Sequence, residues 1–295
     1  MDIFILHPKF LRYLALEEGL SPKTISCMES TMKTFLRRTD CVNLADMTLE
    51  NMRGFFYEGV ERHKWSQSTF ANHHKYLKRF LGWCVEKEYI KENPIIQIKR
   101  PKRPRPLPRR LTGEEGCKLL YTAFTMDWRY GFECTRNHSI ISTFLFAGIR
   151  ANELLTLEIT DLNLTTGNIL IRSGKGNKDR NVPIHFKLAR TLKGYMAERK
   201  GRGIKSRYLF PSIRGEKALT YKNLLTICRR IGKEADIYFS PHQLRHTFGS
   251  VAVEQGMDVV KLKDIMGHSS IISTMIYLRM SSKSLKEGLD KLELF

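Results

Sequence analysis

Between residues 100 and 110 the sequence reads R-P-K-R-P-R-P-L-P-R-R, and this stretch divides the chain in two. Six of its residues are basic, four are proline and none is acidic. Proline at this density cannot continue a helix and favours extended polyproline geometry. Because helical patterns lie on both sides, we predict a stiff basic linker over residues 100–110 rather than a surface loop within one domain.

Residues 1–99 predict a domain made only of helices. Apolar side chains recur at helical spacing, and Ser21 followed by proline is typical of a helix N-terminus. The predicted helices cover residues 8–18, 22–38, 48–63 and 66–89. Four short helices with many exposed basic residues favour a compact DNA-gripping module, although a helical bundle with a solvated charged face would show the same pattern.

Residues 111–295 predict a mixed domain. Two strands, residues 167–171 and 180–184, flank the turn S-G-K-G-N-K and indicate a hairpin. The remaining pattern is helical, with segments at residues 139–147, 153–160, 186–199, 220–235, 241–255, 258–266, 270–280 and 283–293. The predicted fold class is therefore mainly α with a small β-sheet.

The charge balance points to a polyanionic partner. The chain has 295 residues, with 50 Lys and Arg against 30 Asp and Glu, a net charge of +20. Such a surplus is best offset by nucleic acid, since duplex DNA carries one negative charge per ~1.7 Å of axis. The longest apolar stretch, residues 140–149, is far shorter than the ~20 residues that span a bilayer. The N-terminus lacks a signal-peptide pattern and the cysteines form no C-x-x-C pair, so we expect a cytoplasmic protein with free thiols.

Arg150 stands at an unusual place, in F-A-G-I-R-A-N-E-L-L-T-L, where an apolar helix ends at a glycine. Its apolar neighbours predict that the guanidinium lies near a buried junction, where an arginine needs a partner. Glu153, three residues on, is one candidate partner, and an anionic ligand such as a phosphate is the other.

A second cluster lies in S-P-H-Q-L-R-H-T-F, residues 240–248. Ser240 as N-cap with Gln243 three residues later predicts a helix start, which puts His242 in the first turn, where backbone N–H groups favour an anion. Arg245 shares that face. Imidazole and guanidinium together would suit a phosphate, although a solvated face is the commoner reading. His246, at i+4 from His242, can simply pack.

Two further motifs are weak when taken alone. Lys175 lies at the tip of the predicted hairpin, in S-G-K-G-N-K-D-R, where the spacing of a nucleotide-binding P-loop fails. His268 and Tyr277 lie in M-G-H-S-S-I-I-S-T-M-I-Y-L. A phenol is a feeble nucleophile at neutral pH and needs a nearby base, so a lone tyrosine on an apolar helix usually belongs to a core.

In this order, the four motifs resemble those of the tyrosine recombinases, also called phage integrases. The resemblance runs through residues 111–280, and the N-terminal module with its linker resembles the core-binding domain of that family. The overall length is similar to that of the compact Xer-type members.

The resemblance implies a role for each motif. Tyr277 would attack a DNA phosphodiester and form a 3′-phosphotyrosyl bond, while Arg150 and Arg245 would bind the non-bridging oxygens. His242 would accept the tyrosine proton, and Lys175 would be the general acid at the leaving 5′-oxygen.

The same resemblance implies that His268 adds a hydrogen bond to the phosphoryl oxygen and that Glu153 orients the arginine or His242. It implies no metal, no other cofactor and no ATP. The implied partners are double-stranded DNA and further copies of the chain, as a dimer on one site and a tetramer in the synapse, with an accessory protein as an optional partner. The tail, residues 281–295, would dock on a neighbouring protomer, or else pack on its own domain. The implied task, whether integration, transposition, inversion or dimer resolution, stays open.

Basic residues of the helical module, the linker and the hairpin are the expected DNA contacts. They are Lys75, Arg79, Arg100, Arg103, Arg105, Lys178 and Arg180. The sequence departs from the family at Asn152, where Ser or Thr is common, and after Tyr277, where L-R-M replaces the frequent x-His. These departures concern the subfamily rather than the chemistry.

Three other functions would use parts of the same pattern. A type IB topoisomerase shares this catalytic set but would relax supercoils without a partner protomer. A catalytically inactive DNA-binding regulator would keep the fold and lose the chemistry. A metal-dependent nuclease would use the histidines, would fail in EDTA and would need a carboxylate cluster that the sequence lacks.

Overall fold

The computed structural model describes residues 1–101, 109–172, 179–213 and 217–280. The chain divides into two compact units, Met1–Arg105 and Pro106–Phe295. The boundary falls inside the stretch that we predicted as a linker. The described residues are mainly helical with one small antiparallel sheet, so the predicted fold class is confirmed.

The first unit contains four α-helices, and the second contains the others together with the sheet. The helices are Ile3–Leu16 (α1), Pro22–Arg38 (α2), Leu49–Glu61 (α3), Gln67–Glu86 (α4), Gly113–Thr125 (α5), Gly131–Ala147 (α6), Ala151–Thr156 (α7), Phe186–Gly201 (α8), Tyr221–Ala235 (α9), Pro241–Glu254 (α10), Val259–Met266 (α11) and Ile272–Met280 (α12). The strands are Leu162–Asn163 (β1), Asn168–Ile171 (β2) and Arg180–Pro183 (β3).

Helix α1 begins five residues before the predicted start at Pro8. The side chain of Asp2 caps it by accepting a hydrogen bond from the backbone N–H of Phe4. Proline within a helix removes one backbone hydrogen bond, at a cost of about 3 kcal/mol. That cost is offset because one face of α1 is buried in the core of the unit, through Ile3, Leu6, Phe10 and Leu14.

Aromatic rings fill much of the core of the first unit. The ring of Trp65 is tilted against that of His73, with 4.4 Å between the centroids, and its centroid lies 5.1 Å from that of Phe55. The Arg38 guanidinium lies over the Trp65 ring, 5.2 Å from its centroid. Such contacts join α2, α3 and α4 around one cluster. The chain then closes onto α4, where His74 forms a 2.9 Å hydrogen bond with the carbonyl oxygen of Ile98.

The second unit is built around α6, which is buried along most of its length and packs against α5, α8 and α10. Helix α5 was not predicted, although Thr112 and Glu115 form a reciprocal capping box at its start. The predicted hairpin is confirmed, because β2 and β3 pair antiparallel with Ile171 opposite Arg180. Strand β1, which pairs with β2, was missed because it is only two residues long.

The length and polarity of a helix decide whether it could cross a membrane. Within the part of the chain that the structure describes, every helix is too short or too polar to cross a bilayer.

Two glycines of α3 give a matched test of packing in the first unit. A Cβ atom at Gly59 would lie 2.2 Å from the ring of Trp65, whereas one at Gly54 would meet nothing within 4 Å. We expect Gly59→Ala to lower the free energy of unfolding by about 1–3 kcal/mol, because the ring of Trp65 must move to make room for the added methyl group. Gly54→Ala should raise it by up to ~1 kcal/mol through helix propensity.

Urea unfolding of the full chain, followed by tryptophan fluorescence, measures both variants. Equal shifts of the unfolding midpoint in the same direction would contradict the packing of Trp65 on α3.

Candidate active site

Arg150 lies at the turn between α6 and α7. Its backbone N–H and its Nη1 donate to the two carboxylate oxygens of Glu153, each at 2.8 Å. Its Nη2 donates to the carbonyl oxygen of Gly267, at the end of α11. These two partners hold the guanidinium, and because the side chain is 38% exposed it is still accessible to a ligand.

Arg245, on α10, is held by the same turns but is only 4% exposed. Its Nη1 donates to the carbonyl of Gly148 and its Nη2 to that of Met266, both at 2.7 Å. Burial, and to a lesser degree the charge of Arg150, lowers the pKa of Arg245 to about 10, so it stays charged at neutral pH. Since Met266 and Gly267 are consecutive, neighbouring carbonyl groups hold the two arginines.

Glu153 accepts hydrogen bonds from two arginines. Besides Arg150, it is bound by Arg180, whose Nη1 and Nη2 lie 3.0 and 2.8 Å from its two carboxylate oxygens. Burial alone would raise the pKa of Glu153, but the hydrogen bonds and charges of Arg180 and Arg150 outweigh burial and lower it to about 2. The carboxylate is therefore ionised at every pH at which the protein would work.

Arg180, which we expected to contact DNA, points into this cluster. Its Nε donates to the carbonyl oxygen of Ile265 at 2.8 Å, and the rest of the guanidinium faces Glu153. Its side chain is 11% exposed. The structure thus places Arg180 beside the predicted site and not on an open surface.

Tyr277 lies on α12 and is 1% exposed. Its ring packs on α10 so closely that a Cβ atom at Gly249 would lie 2.6 Å from it. Its hydroxyl forms a 3.0 Å hydrogen bond with Nδ1 of His246. Burial raises the pKa of Tyr277, and the charge of Arg245 partly opposes that rise. The phenol is therefore protonated at neutral pH and needs a base to become a nucleophile.

The helix start at Ser240 and Pro241 forms as predicted, with the Ser240 Oγ accepting from the backbone N–H of Gln243 at 3.3 Å. This puts His242 and His246 one turn apart on α10, with their Nε2 atoms 2.9 Å apart. The phenol of Tyr277, His246 and His242 thus form a continuous chain of hydrogen bonds.

Three histidines of the site are neutral at pH 7. Burial, followed by the charge of Arg245, lowers the pKa of His242, and burial with His242 and Arg245 lowers that of His246 to about 4. The pKa of His268 is lowered to about 4 by burial and by the charges of Arg245 and Arg150. Its Nδ1 lies 2.8 Å from Oγ1 of Thr274, which orients the ring. A neutral imidazole can accept a proton, as the role predicted for His242 requires.

The structure thus brings together most of the predicted catalytic residues. Those it places in one cluster are Arg150, Glu153, His242, Arg245, His268 and Tyr277. Lys175 and Lys178 fall in residues 173–178, and Arg103 and Arg105 fall in residues 102–108. Both segments lie outside the described residues.

The other expected DNA contacts belong to the first unit. Lys75 and Arg100 are exposed, whereas Arg79 is half-buried and forms an ion pair with Glu18. Lys75 and Arg100 are thus open to a ligand on that unit, and Arg79 is partly engaged already.

Two functional contacts were missed from the sequence. His246 was set aside as packing although it contacts the phenol, and its i+4 spacing from His242 was the available signal. The pairing of Arg180 with Glu153 had no local signal, because 27 residues separate the two.

Across residues 1–101, 109–172, 179–213 and 217–280, no three His, Cys, Asp or Glu side chains form a group that could hold a metal ion.

Comparison with known proteins shows the family to which the chain belongs. The model of the phage integrase family matches residues 109–284. The tyrosine recombinase XerC of Thermodesulfovibrio yellowstonii is 31% identical over 295 residues, which cover 96% of this chain and 94% of that protein.

Solved structures share the fold. The Tn1549 transposon integrase, in complex with transposon right end DNA, has a TM-score of 0.77 at 20% identity and covers 98% of this chain and 100% of its own. A lambda integrase(75-356) dimer bound to a COC' core site has a TM-score of 0.73 at 17% identity, with 92% and 97% covered. Since the family model spans more than half of the chain and XerC aligns over nearly all of it, this chain belongs to the phage integrase family.

Proposed function

We propose that this protein is a tyrosine site-specific recombinase that cuts and rejoins double-stranded DNA through a covalent bond to Tyr277. The observation that carries the proposal is the convergence at the end of α11. Arg245 and Arg150 are held by the carbonyls of consecutive residues there, and His268 follows directly. The ring of His268 stacks on that of Tyr277, with 6.4 Å between the centroids. Two fixed cations thus lie in the same cluster as a phenol.

The reaction follows from these groups. The phenolic oxygen of Tyr277 attacks the phosphorus, a 3′-phosphotyrosyl bond forms, and the bond to the 5′-oxygen breaks. Arg150 and Arg245 bind the non-bridging oxygens, whose negative charge grows in the pentacovalent transition state. A guanidinium suits this task because it offers several fixed N–H donors to a planar or trigonal oxyanion.

Each proton transfer has a group to serve it. The phenol gives its proton to the imidazole pair, directly to His246 and through it to His242. The leaving 5′-oxygen takes a proton from Lys175, in the segment between β2 and β3. The reverse transfers accompany rejoining, when a 5′-hydroxyl attacks the phosphotyrosine.

The proposed reaction needs neither ATP nor a metal ion. The phosphotyrosyl bond keeps the energy of the phosphodiester that it replaces, so a new strand can be joined without ATP. The arginines supply the positive charge that a metal ion supplies in many other phosphoryl-transfer enzymes.

The proposed setting is the cytoplasm, and similarity to the tyrosine recombinase XerC supports the proposed recombinase activity. The protein acts as a dimer on one DNA site and as a tetramer when two sites are brought together. The solved lambda integrase dimer on a core site supports the first of these states. The tail, residues 281–295, lies outside the described residues, and its leucines at helix-like spacing fit a contact with a neighbouring protomer.

A nicked suicide substrate tests the covalent step. With EDTA present, the native chain should form a protein–DNA adduct that survives denaturing electrophoresis. Tyr277→Phe should form none and should still bind the DNA, because it lacks only the attacking oxygen. An adduct with Tyr277→Phe would remove that residue as the nucleophile, and cleavage that leaves no adduct and is lost in EDTA would favour a metal-dependent nuclease.

The role of Lys175 has a separate test. Lys175→Ala should slow cleavage by about 10²–10⁴-fold, the usual contribution of a general acid. Replacing the leaving 5′-oxygen with sulfur should restore most of that rate, because a thiolate leaves without a proton. If the sulfur substrate gives no rescue, Lys175 is not the acid.

The tail can be tested on DNA that carries two adjacent half-sites. Deleting residues 281–295 should leave binding of one copy intact and abolish cooperative binding of the second, as measured by gel shift. Changing Leu285, Leu289 and Leu292 to Ser should act like the deletion, whereas changing Lys283 and Lys286 to Ser serves as the control. Unchanged cooperativity in the deletion would show that the tail does not join protomers.

A further inference from the structure

The guanidinium of Arg180 is fully hydrogen-bonded, although Arg180 is the first residue of the short strand β3. Each of its three guanidinium nitrogens has a partner: Nε donates to Ile265, and Nη1 and Nη2 donate to Glu153. A guanidinium that is 11% exposed needs such partners, because burying an unpaired charge is costly. This arrangement leaves no nitrogen of Arg180 without a protein partner.

The backbone is shaped to admit this side chain. Gly267 adopts a positive φ of 64°, and a Cβ atom there would lie 2.7 Å from Nη1 of Arg180. The same Gly267 offers its carbonyl oxygen to Arg150. One residue thus makes room for the first arginine and holds the second.

Glu153 is the link between these arginines. Its Oε1 accepts from Arg150 and Arg180, and its Oε2 accepts from the backbone of Arg150 and from Arg180. With Arg180 removed, the carboxylate would keep only the bonds from its own turn, which leave it free to tilt. Arg150 would then lose the fixed acceptor that sets the direction of its guanidinium.

We infer that Arg180 is a positioning residue for the cleavage reaction, acting through the Glu153 carboxylate to fix Arg150 rather than by contacting DNA. The inference rests on the proposed function, in which Arg150 binds the phosphate being cleaved.

Single-turnover cleavage of the nicked substrate, at saturating DNA, tests this coupling. We expect Arg180→Gln to lower the cleavage rate about 10–100-fold, the range for loss of a supporting contact or a misplacement of about 1 Å. Arg180→Lys should retain more activity than Arg180→Gln, since it keeps the charge but loses the two-point contact. The affinity for DNA should stay the same in both variants.

A double-mutant cycle separates this role from simple loss of structure. If Arg180 acts through Glu153, the double variant Arg180→Gln with Glu153→Gln should cleave about as slowly as the slower single variant. If the two fold-losses multiply, the residues act independently and the inference is wrong.

The salt dependence of binding addresses the alternative that Arg180 contacts DNA. A lost phosphate contact lowers the slope of log affinity against log salt by about one. An unchanged slope in Arg180→Gln supports the inference, and a slope reduced by one overturns it.

Arg172, which lies directly before residues 173–178 in the sequence, offers a matched control. It follows β2 and pairs with Asp161 at 2.7 Å, so Arg172→Gln also removes an ion pair beside residues 173–178. Arg172→Gln should leave the cleavage rate within about twofold of the native rate, and a loss equal to that of Arg180→Gln would show that any weakening of the hairpin suffices. Failure of the native chain to form a Tyr277 adduct would instead reject the proposed function, and the two failures are thus distinguishable.

Discussion

The architecture of the site depends on one carboxylate placed among three guanidinium groups. Glu153 binds Arg150 and Arg180, while Arg245 is held by backbone carbonyls. Three cations and one anion leave two positive charges in a small, partly buried volume. Burial first, and the charge of Arg150 second, lowers the pKa of Arg245, so it is costly to hold that positive charge in the site. A DNA phosphate relieves the cost, so the same repulsion that weakens the empty site favours the substrate.

The cations also set the protonation of their neighbours. They lower the pKa values of the histidines beyond the effect of burial, which keeps those rings neutral and able to accept a proton. Burial raises the pKa of Tyr277, which keeps the phenol protonated until a base takes its proton. The cations thus help to keep the imidazoles neutral, whereas burial, opposed by the charge of Arg245, keeps the phenol protonated. An incoming phosphate would offset part of the positive field and make the imidazoles better bases.

The sequence predicted those features of the fold that depend on residues close together along the chain. The starts of α2 and α10 follow from a serine and a proline, and the hairpin follows from alternation around a glycine-rich turn. Helix α5 was missed because its capping box was overlooked, and the start of α1 was wrong because burial outweighed a proline. The order of the motifs predicted most of the site. The contact between His246 and Tyr277 spans 31 residues and depends on how α12 packs on α10, which no local pattern encodes.

The burial of Tyr277 places a further constraint on the reaction. In the proposed reaction, a phenol that is 1% exposed has to become accessible to a DNA phosphate, which requires α12 to shift before cleavage. The closeness of its ring to Gly249 and its bond to His246 oppose that shift. The tail begins four residues after Tyr277, so in the proposed reaction a movement of the tail would be passed to Tyr277 through very few residues. Docking of that tail on a neighbour would therefore couple assembly to the release of Tyr277, and a lone protomer would keep its phenol protonated and out of reach.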